Sequence, residues 1–315
     1  MINFRSQVFS LLVIIGTAIP AAAQDYGRID AAIQLYPSTF NTPAELSRFI
    51  SRDFTTNEEK VRAIYSWIIA NIAYDPAEYK KFNYNFKNYR ERNAKEENTR
   101  RQIIARTLQE GVAVCEGYAM LFERLCELQG ISSYLVSGDT KATFSDIGRP
   151  FKKNHMWNAV QLNGTYYLFD PTWGAGKYNG KFIKDPSYFW YKTPPELFIN
   201  THYPEFSEDA QVDTIMDKQA FSNMPIIIAP QLTMADVQQP SGGTLSSEVA
   251  SGEFTFVIHG IQPNSITFSF GNKKQVVEDF EISEATARFT VPIQLGAEHL
   301  VLYFDGEPAL AYKID

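Results

Sequence analysis

The sequence contains little cysteine, and this scarcity limits the kind of protein it can be. Only Cys115 and Cys126 occur among its 315 residues. Both lie in GVAVCEGYAMLFERLCELQG, which predicts a helix that would separate them by about 16 Å along its axis, whereas a disulfide needs α carbons within about 7 Å. The two cysteines cannot pair with each other, and the free thiols must be either buried or used.

Basic charge is also scarce. Lysine and arginine number 29 against 36 acidic residues, a net charge of −7, which disfavours long-range attraction of nucleic acid. The stretch from Lys80 to Arg101 is an exception. Its aromatic residues lie between basic ones, as in a protein surface that binds single-stranded nucleic acid. A solvated insertion, followed by a short helix near Thr99 to Leu108, is the interpretation we favour. We therefore expect no nucleic-acid partner.

Long apolar runs are absent apart from one near the amino terminus. Arg5 precedes an apolar run from Val8 to Ile19, and Ala21-Ala22-Ala23 follows, which is the pattern of a secretory signal and too short to span a membrane. We expect a signal peptide over residues 1–23, export to the periplasm or the extracellular space, and no stable membrane insertion. No cysteine follows the cleavage point, so we expect no lipid anchor.

The patterning after this segment predicts an α+β chain of two domains. Thr42-Pro43 begins one capping sequence, and Thr55 or Thr56 begins a second, for helices that should end near Ser51 and Ala73. Beyond Met224, the segments FTFVIHG, SITFSFG, ARFTVPI and HLVLYFDG alternate with period two between turn residues. We predict a first domain over residues 24–225 and an all-β sandwich, immunoglobulin-like, over residues 226–315 that folds on its own.

The segment HMWNAVQLNGTYYLFD, residues 155–170, predicts a β-hairpin. A purely structural hairpin does not require the histidine at its start or the aspartate at its end. Asn163-Gly164 favours a type I′ turn, which pairs Leu162 with Thr165, Trp157 with Asp170 and His155 with Thr172. His155 and Asp170 then share one face, diagonal to each other at roughly 7 to 8 Å, within reach of a hydrogen bond. An oriented histidine is useful mainly beside a nucleophile. The structural alternative is that Asp170 caps the turn at DPTWG.

Cys115 is the candidate nucleophile. It begins its predicted helix, where unpaired N–H groups and the helix dipole favour a thiolate, whereas Cys126 lies among apolar residues and is typical of a core position. His155 could accept the thiol proton, and Asp170 behind it could fix the tautomer of the ring. Each residue alone is weak evidence, but together they predict a nucleophile, a base and an orienting carboxylate.

These segments resemble a known family. GVAVCEGYAMLFERLCELQGI, HMWNAV and YYLFDPTWG are similar to three signature blocks of the transglutaminase-like superfamily of papain-like cysteine enzymes, and TTNEEKVRAIYSWIIANIAYD resembles the helix before them. DPTWGAG and PPELFINTHYPE are similar to the kyphoscoliosis-peptidase-like branch. The resemblance covers roughly residues 43 to 225. It implies a catalytic triad of Cys115, His155 and Asp170 that acts on peptide or glutamine carboxamide bonds of a protein or peptide substrate, and often an added β-domain.

Three further residues have two interpretations each. Gln109 lies six residues before Cys115, the spacing of the oxyanion glutamine in papain-like enzymes, but a helix-end role explains it equally well. Trp157 and Trp173 could line a substrate cleft or close the core.

The remaining histidines give no sign of a metal site. His202, His259 and His299 are scattered without metal-ligand spacing, and no calcium-binding loop occurs. We expect neither a metal nor another cofactor. The alternative to an enzyme is a non-catalytic scaffolding protein that binds peptides in a papain-like cleft.

Iodoacetamide at about pH 6 should alkylate Cys115 at least about tenfold faster than Cys126, because only Cys115 has a helix start that favours the thiolate. Peptide mass spectrometry after brief labelling measures the two rates. In a Cys115→Ser control only the slow reaction should remain, and equal labelling of both thiols in the unmodified chain would contradict the assignment.

Overall fold

The computed structural model of the protein describes residues 26–81 and 89–315, so the predicted signal peptide lies outside the described residues. Within them, the helices are α1 (Tyr26–Ile33), α2 (Pro43–Asp53), α3 (Asn57–Asn71), α4 (Tyr89–Glu110), α5 (Cys115–Leu128), α6 (Pro171–Ala175), α7 (Pro195–Phe198) and α8 (Lys218–Asn223). None of the helices in these two ranges is long and apolar enough to cross a membrane.

The strands of the first two thirds of the chain are β1 (Ala73–Tyr74), β2 (Val112–Ala113), β3 (Ser133–Thr140), β4 (His155–Leu162), β5 (Thr165–Phe169), β6 (Gly176–Asn179), β7 (Lys181–Lys184), β8 (Tyr191–Thr193) and β9 (His202–Pro204). The later strands are β10 (Ile226–Ile227), β11 (Val237–Gln239), β12 (Thr244–Leu245), β13 (Glu253–His259), β14 (Ile266–Ser269), β15 (Gln275–Val276), β16 (Phe280–Ser283), β17 (Thr286–Pro292), β18 (His299–Phe304) and β19 (Glu307–Ile314). The chain is thus a mixed structure of helices and strands.

The two predicted capping sequences begin the helices α2 and α3. The Thr42 hydroxyl accepts from the Glu45 N–H at 3.2 Å, and Thr56 and Glu59 form a reciprocal capping box. These contacts satisfy N–H groups that a helix start leaves without partners. Both helices are confirmed, with ends two residues from the predicted ones.

Helix α4 is longer than the predicted short helix. It begins at Tyr89, so the second half of the basic stretch is helical, while residues 82–88 lie outside the described residues. Helix α4 contains five Arg and four Glu, which favour a helix without any apolar spacing. Ion pairs of Arg101 with Glu97 and of Arg100 with Glu123 on α5 add to it. Apolar periodicity cannot detect such a helix.

A five-stranded antiparallel sheet in the order β8-β5-β4-β3-β9 carries the predicted hairpin. The turn is confirmed: Asn163 and Gly164 have φ angles of 52° and 86°, and Leu162 pairs with Thr165. The ladder between β4 and β5 ends at Asn158 and Phe169, so the predicted strand pairs beyond it do not form. Pro171 explains this end, because it has no N–H to donate and it starts α6.

Helix α5 packs against this sheet. The buried Asn158 side chain of β4 donates to the Ala119 carbonyl of α5 at 3.0 Å. At the other end of the helix, Gly130 has a φ of 71°, the left-handed conformation in which glycine commonly ends a helix. The helix that begins with Cys115 is therefore fixed to the strand that begins with His155.

The C-terminal strands form two sheets around one core. One has the order β10-β19-β18-β14-β15, with β12 also paired to β19, and the other has the order β11-β13-β17-β16. The Phe256 ring of β13 contacts the Tyr312 ring of β19 at 5.5 Å between centroids. The same core includes Tyr203 and Phe221, which precede the predicted boundary at residue 226. That boundary stays a prediction.

A buried lysine ties the first sheet to the segment before the C-terminal strands. Lys141, one residue beyond β3, is 1% exposed, and its amine donates to the Phe221 and Met224 carbonyls at 2.8 Å each. Burial lowers the pKa of Lys141 to about 7, although Asp146 and Asp139 act to raise it. The amine is thus held in a position where its charge is costly.

Lys141→Met should change how the stability of the protein depends on pH. The folded-state pKa of about 7 lies below the ordinary 10.5, so the unfolded chain binds the additional proton between these values and Lys141 becomes less destabilising as pH rises. The free energy of unfolding of the wild type minus that of the variant should therefore increase from about pH 7 to about pH 10, measured by urea denaturation.

The exposed Lys177 provides the control for loss of one positive charge. Lys177→Met should follow the wild-type pH dependence. A constant difference between wild type and Lys141→Met over this range would contradict the prediction.

Candidate active site

The centre of the site is the Asp170 carboxylate, which is completely buried between β5 and α6. Its Oδ1 accepts from the N–H groups of Thr172 and Trp173 at 2.8 and 3.0 Å. Its Oδ2 contacts the Nε2 atoms of His155 and His202 at 2.7 and 3.0 Å. Burial acts to raise the pKa of Asp170, but the charge and hydrogen bond of His155, followed by those of His202, hold it well below its usual range.

The predicted contact between His155 and Asp170 is present. His155 begins β4 opposite Gly138 of β3. A Cβ at Gly138 would lie 2.2 Å from the Tyr203 carbonyl oxygen and 2.4 Å from the Trp157 ring, so glycine is required for the strands and the ring to pack here. The position of the imidazole thus depends on a residue that has no side chain.

The charged form of His155 is strongly favoured. Burial acts to lower its pKa, but the charge and hydrogen bond of Asp170, together with the hydrogen bond and charge of Cys115, raise the pKa of His155 to about 10. Because Nε2 faces Asp170, Nδ1 is the ring nitrogen that remains for the thiol. An imidazolium placed between a carboxylate and a thiol is the arrangement that activates a cysteine nucleophile.

Cys115 is the first residue of α5 and is 3% exposed. The N-cap residue, Val114, gives no side-chain hydrogen bond to the helix start, where N–H groups without helix partners favour negative charge. Cys126 is buried in the core, and this burial raises its pKa. Both thiols are free, as predicted.

Tyr79 contacts the thiol from a short 3-10 helix, Pro76–Lys80. Its hydroxyl lies 3.4 Å from Cys115 Sγ. Ion pairs of the neighbouring Glu78 with Arg106 at 2.6 Å and with Lys81 at 2.7 Å hold this segment. A small pocket of about 70 Å³ next to Tyr79 is lined by Glu78, Tyr79, Ile103, Arg106, Val114 and Glu116, and Cys115 is not among its lining residues.

The three residues with open interpretations lie in different places. Trp157 is fully buried and belongs to the core, and Trp173 is half-buried with its ring 5.9 Å from that of His155. The Gln109 amide donates to the Asn41 carbonyl at 2.9 Å, which fits a helix-end role. The oxyanion role of Gln109, the cleft roles of both tryptophans and the catalytic roles of Cys115, His155 and Asp170 stay predictions.

His202 is the residue of the site that spacing did not reveal. It begins β9, which pairs with β3, and so reaches Asp170 from the far edge of the sheet. Its Nδ1 lies 2.8 Å from the Thr201 hydroxyl. Burial lowers the pKa of His202 to about 4, against the opposing effect of Asp170. Its only sequence signal is its place within PPELFINTHYPE.

His155, Asp170 and His202 also form a group whose ligand atoms lie within 4.8 Å of one another, the kind of spacing that can hold a metal ion. Both Nε2 atoms already contact the same Asp170 oxygen. A metal ion would have to replace both hydrogen bonds. We therefore assign the group to hydrogen bonding.

Comparison with known proteins identifies similar chains. A model of the transglutaminase-like superfamily matches residues 44–171. Kyphoscoliosis peptidase of Homo sapiens is 34% identical over 182 residues, 55% of this chain and 25% of that protein. Kyphoscoliosis peptidase of Mus musculus is 34% identical over 167 residues, 51% and 23% respectively. The chain thus spans about a quarter of the length of these relatives. A crystal structure of a TGase aligns over 56% of this chain and 40% of its own, at 14% identity and a TM-score of 0.30.

Asp170→Asn should disable Cys115 while the protein stays folded. The amide oxygen can still accept from the N–H groups that start α6, but the amide nitrogen would face two Nε2 atoms and cannot balance an imidazolium. The analogous change in a serine protease lowers turnover about 10⁴-fold, and we expect alkylation of Cys115 to slow at least about tenfold.

Asp170→Ala is the matched variant, because it removes the helix cap as well. It should lower both the melting temperature and the Cys115 alkylation rate, whereas Asp170→Asn should lower mainly the rate. Full alkylation of folded Asp170→Asn would show that the carboxylate only caps α6.

Proposed function

Because the chain belongs to the transglutaminase-like superfamily, in its kyphoscoliosis-peptidase-like branch, we propose that it is an exported cysteine enzyme. It acts on peptide or glutamine carboxamide bonds of a protein or peptide substrate through a thioester on Cys115. Cys115 is the nucleophile, His155 the acid and base, and Asp170 the residue that orients His155.

The reaction follows from the charges of these groups. The Cys115 thiolate attacks the carbonyl carbon, and the N–H groups at the start of α5 stabilise the tetrahedral oxyanion. His155, protonated at Nδ1, gives its proton to the leaving amine as the carbon–nitrogen bond breaks, which leaves a thioester and a neutral imidazole. The imidazole then takes a proton from water or from an incoming primary amine. Attack on the thioester by either gives an acid or a new amide and frees the thiol.

The observation that carries the proposal is the buried hydrogen bond between His155 Nε2 and Asp170 Oδ2, 2.7 Å long, on a ring that also interacts with Cys115. If His155 were only a structural residue in an apolar core, burial would lower its pKa. Here the neighbouring carboxylate and thiol outweigh burial.

We also propose that residues 226–315 form an immunoglobulin-like β-sandwich without catalytic residues. The two sheets that share one core around Phe256 and Tyr312 support this. The proposal of export rests on the amino-terminal sequence pattern alone.

The wild-type protein should convert an unfolded protein substrate, and Cys115→Ser should lose this activity at least about a thousandfold, since loss of a nucleophile in a catalytic triad costs at least that much. Three products are measured with casein as the substrate: new amino termini, free ammonia, and incorporation of a fluorescent primary amine. We expect water as the acceptor, with cleavage or ammonia release and little amine incorporation.

Equal product formation by wild type and Cys115→Ser would disprove the thioester mechanism. Suppose that neither the wild type nor Cys115→Ser forms product, and that both proteins bind casein-derived peptides with the same affinity. The protein would then be a non-catalytic peptide-binding protein.

A further inference from the structure

His202 is completely buried within an aromatic enclosure. Its ring centroid lies 4.2 Å from that of Phe198, 4.5 Å from that of Trp173 and 5.2 Å from that of Trp157. Within residues 26–81 and 89–315, its ring nitrogens are hydrogen-bonded to the Thr201 hydroxyl at Nδ1 and to the Asp170 carboxylate at Nε2. Buried polar groups are normally hydrogen-bonded, and both ring nitrogens of His202 have a partner.

The two contacts fix which nitrogen carries the proton. Burial holds the pKa of His202 at about 4, so the ring is neutral near pH 7. An ionised carboxylate can only accept, and therefore Nε2 must carry the ring proton. Nδ1 is then bare and accepts from the Thr201 hydroxyl. His202 is thus a neutral donor aimed at Asp170 Oδ2.

His202 and His155 share one carboxylate oxygen but differ in charge. His155 is held as an imidazolium, and His202 is held neutral. His202 therefore restrains Oδ2 without competing for its negative charge. The two N–H groups at the start of α6 restrain Oδ1 in the same way. Rotation of the carboxylate would break bonds at both oxygens.

We propose that His202 is a positioning residue of the active site: its Nε2–H fixes the Asp170 carboxylate, which in turn fixes the His155 ring that serves Cys115. This inference rests on the proposed function, since it assigns to His202 a role in the same reaction. His202 is fully buried and hydrogen-bonded to Asp170, so it acts on the reaction through this carboxylate.

Two tyrosine hydroxyls near the carboxylate already donate to other acceptors, so they do not replace this donor. Tyr65 and Tyr118 are close enough for the charge of Asp170 to raise their pKa. The Tyr65 hydroxyl, however, donates to the Ser187 carbonyl at 3.0 Å, and the Tyr118 hydroxyl donates to the Ile72 carbonyl at 2.8 Å.

The test compares His202→Gln with His202→Asn in the full chain. A glutamine amide can place its nitrogen near the Nε2 position and donate to Asp170, whereas the asparagine amide is one methylene shorter and cannot reach it. Both variants remove the ring, so both should lower the melting temperature. Alkylation of Cys115 by iodoacetamide near pH 7, corrected for the folded fraction, should slow about tenfold in His202→Asn and stay within about twofold in His202→Gln.

A spectroscopic signal accompanies the rates. The ring N–H proton between His155 and Asp170 should give a downfield proton resonance in the wild type and in His202→Gln, and this resonance should be lost in His202→Asn. The exposed His259 supplies the control, and His259→Asn should change neither the resonance nor the alkylation rate.

Equal alkylation rates in the two His202 variants would overturn the proposal, because packing alone would then explain the residue. If His202→Asn does not fold, His202→Phe takes its place: it keeps a ring inside the aromatic enclosure but has no N–H to donate to Asp170. An unchanged Cys115 rate in folded His202→Phe would also overturn the proposal. Failure of the proposed function is distinguishable, since the wild type itself would then label Cys115 no faster than Cys126.

Discussion

The burial of the Asp170 carboxylate is the constraint on which the rest of the site depends. An ionised carboxylate without partners inside a protein costs several kcal/mol or more, so it is stable there only when its oxygens accept enough hydrogen bonds. Asp170 has four donors, two from the backbone of α6, one from β4 and one from β9. The sheet order that brings β9 beside β3, and β3 beside β4, is therefore also the arrangement that makes a buried charge tolerable.

The same carboxylate shows that a structural and a catalytic interpretation need not exclude each other. In the sequence, capping at DPTWG and orientation of a histidine are alternatives for Asp170. In the structure Oδ1 caps α6 and Oδ2 contacts His155. The cap fixes the direction of the carboxyl plane, which leaves Oδ2 facing the imidazole. The short helix is thus part of what orients the histidine.

The sequence predicts features that depend on interactions between residues close together along the chain, and it does not predict those that depend on distant residues. The turn at Asn163-Gly164 and the helix start at Cys115 depend on residues within a few positions of each other, and both are as predicted. His202 could not be predicted in this way, because it lies 32 residues from Asp170 along the chain and meets it only through the pairing of β9 with β3. Helix α4 was underestimated for a different reason, since charged exposed turns carry no apolar period.

The loop that leads into His155 lies against the C-terminal strands. Arg149 makes a two-point ion pair with Asp139 at the end of β3, at 2.6 and 3.0 Å, and closes this loop at its base. Phe144 in the same loop stacks on His299 of β18 at 4.4 Å between ring centroids. Lys141 fixes the segment before β10 from the other side. Packed and hydrogen-bonded contacts therefore join β18 and the segment before β10 to the loop that leads into the first residue of β4.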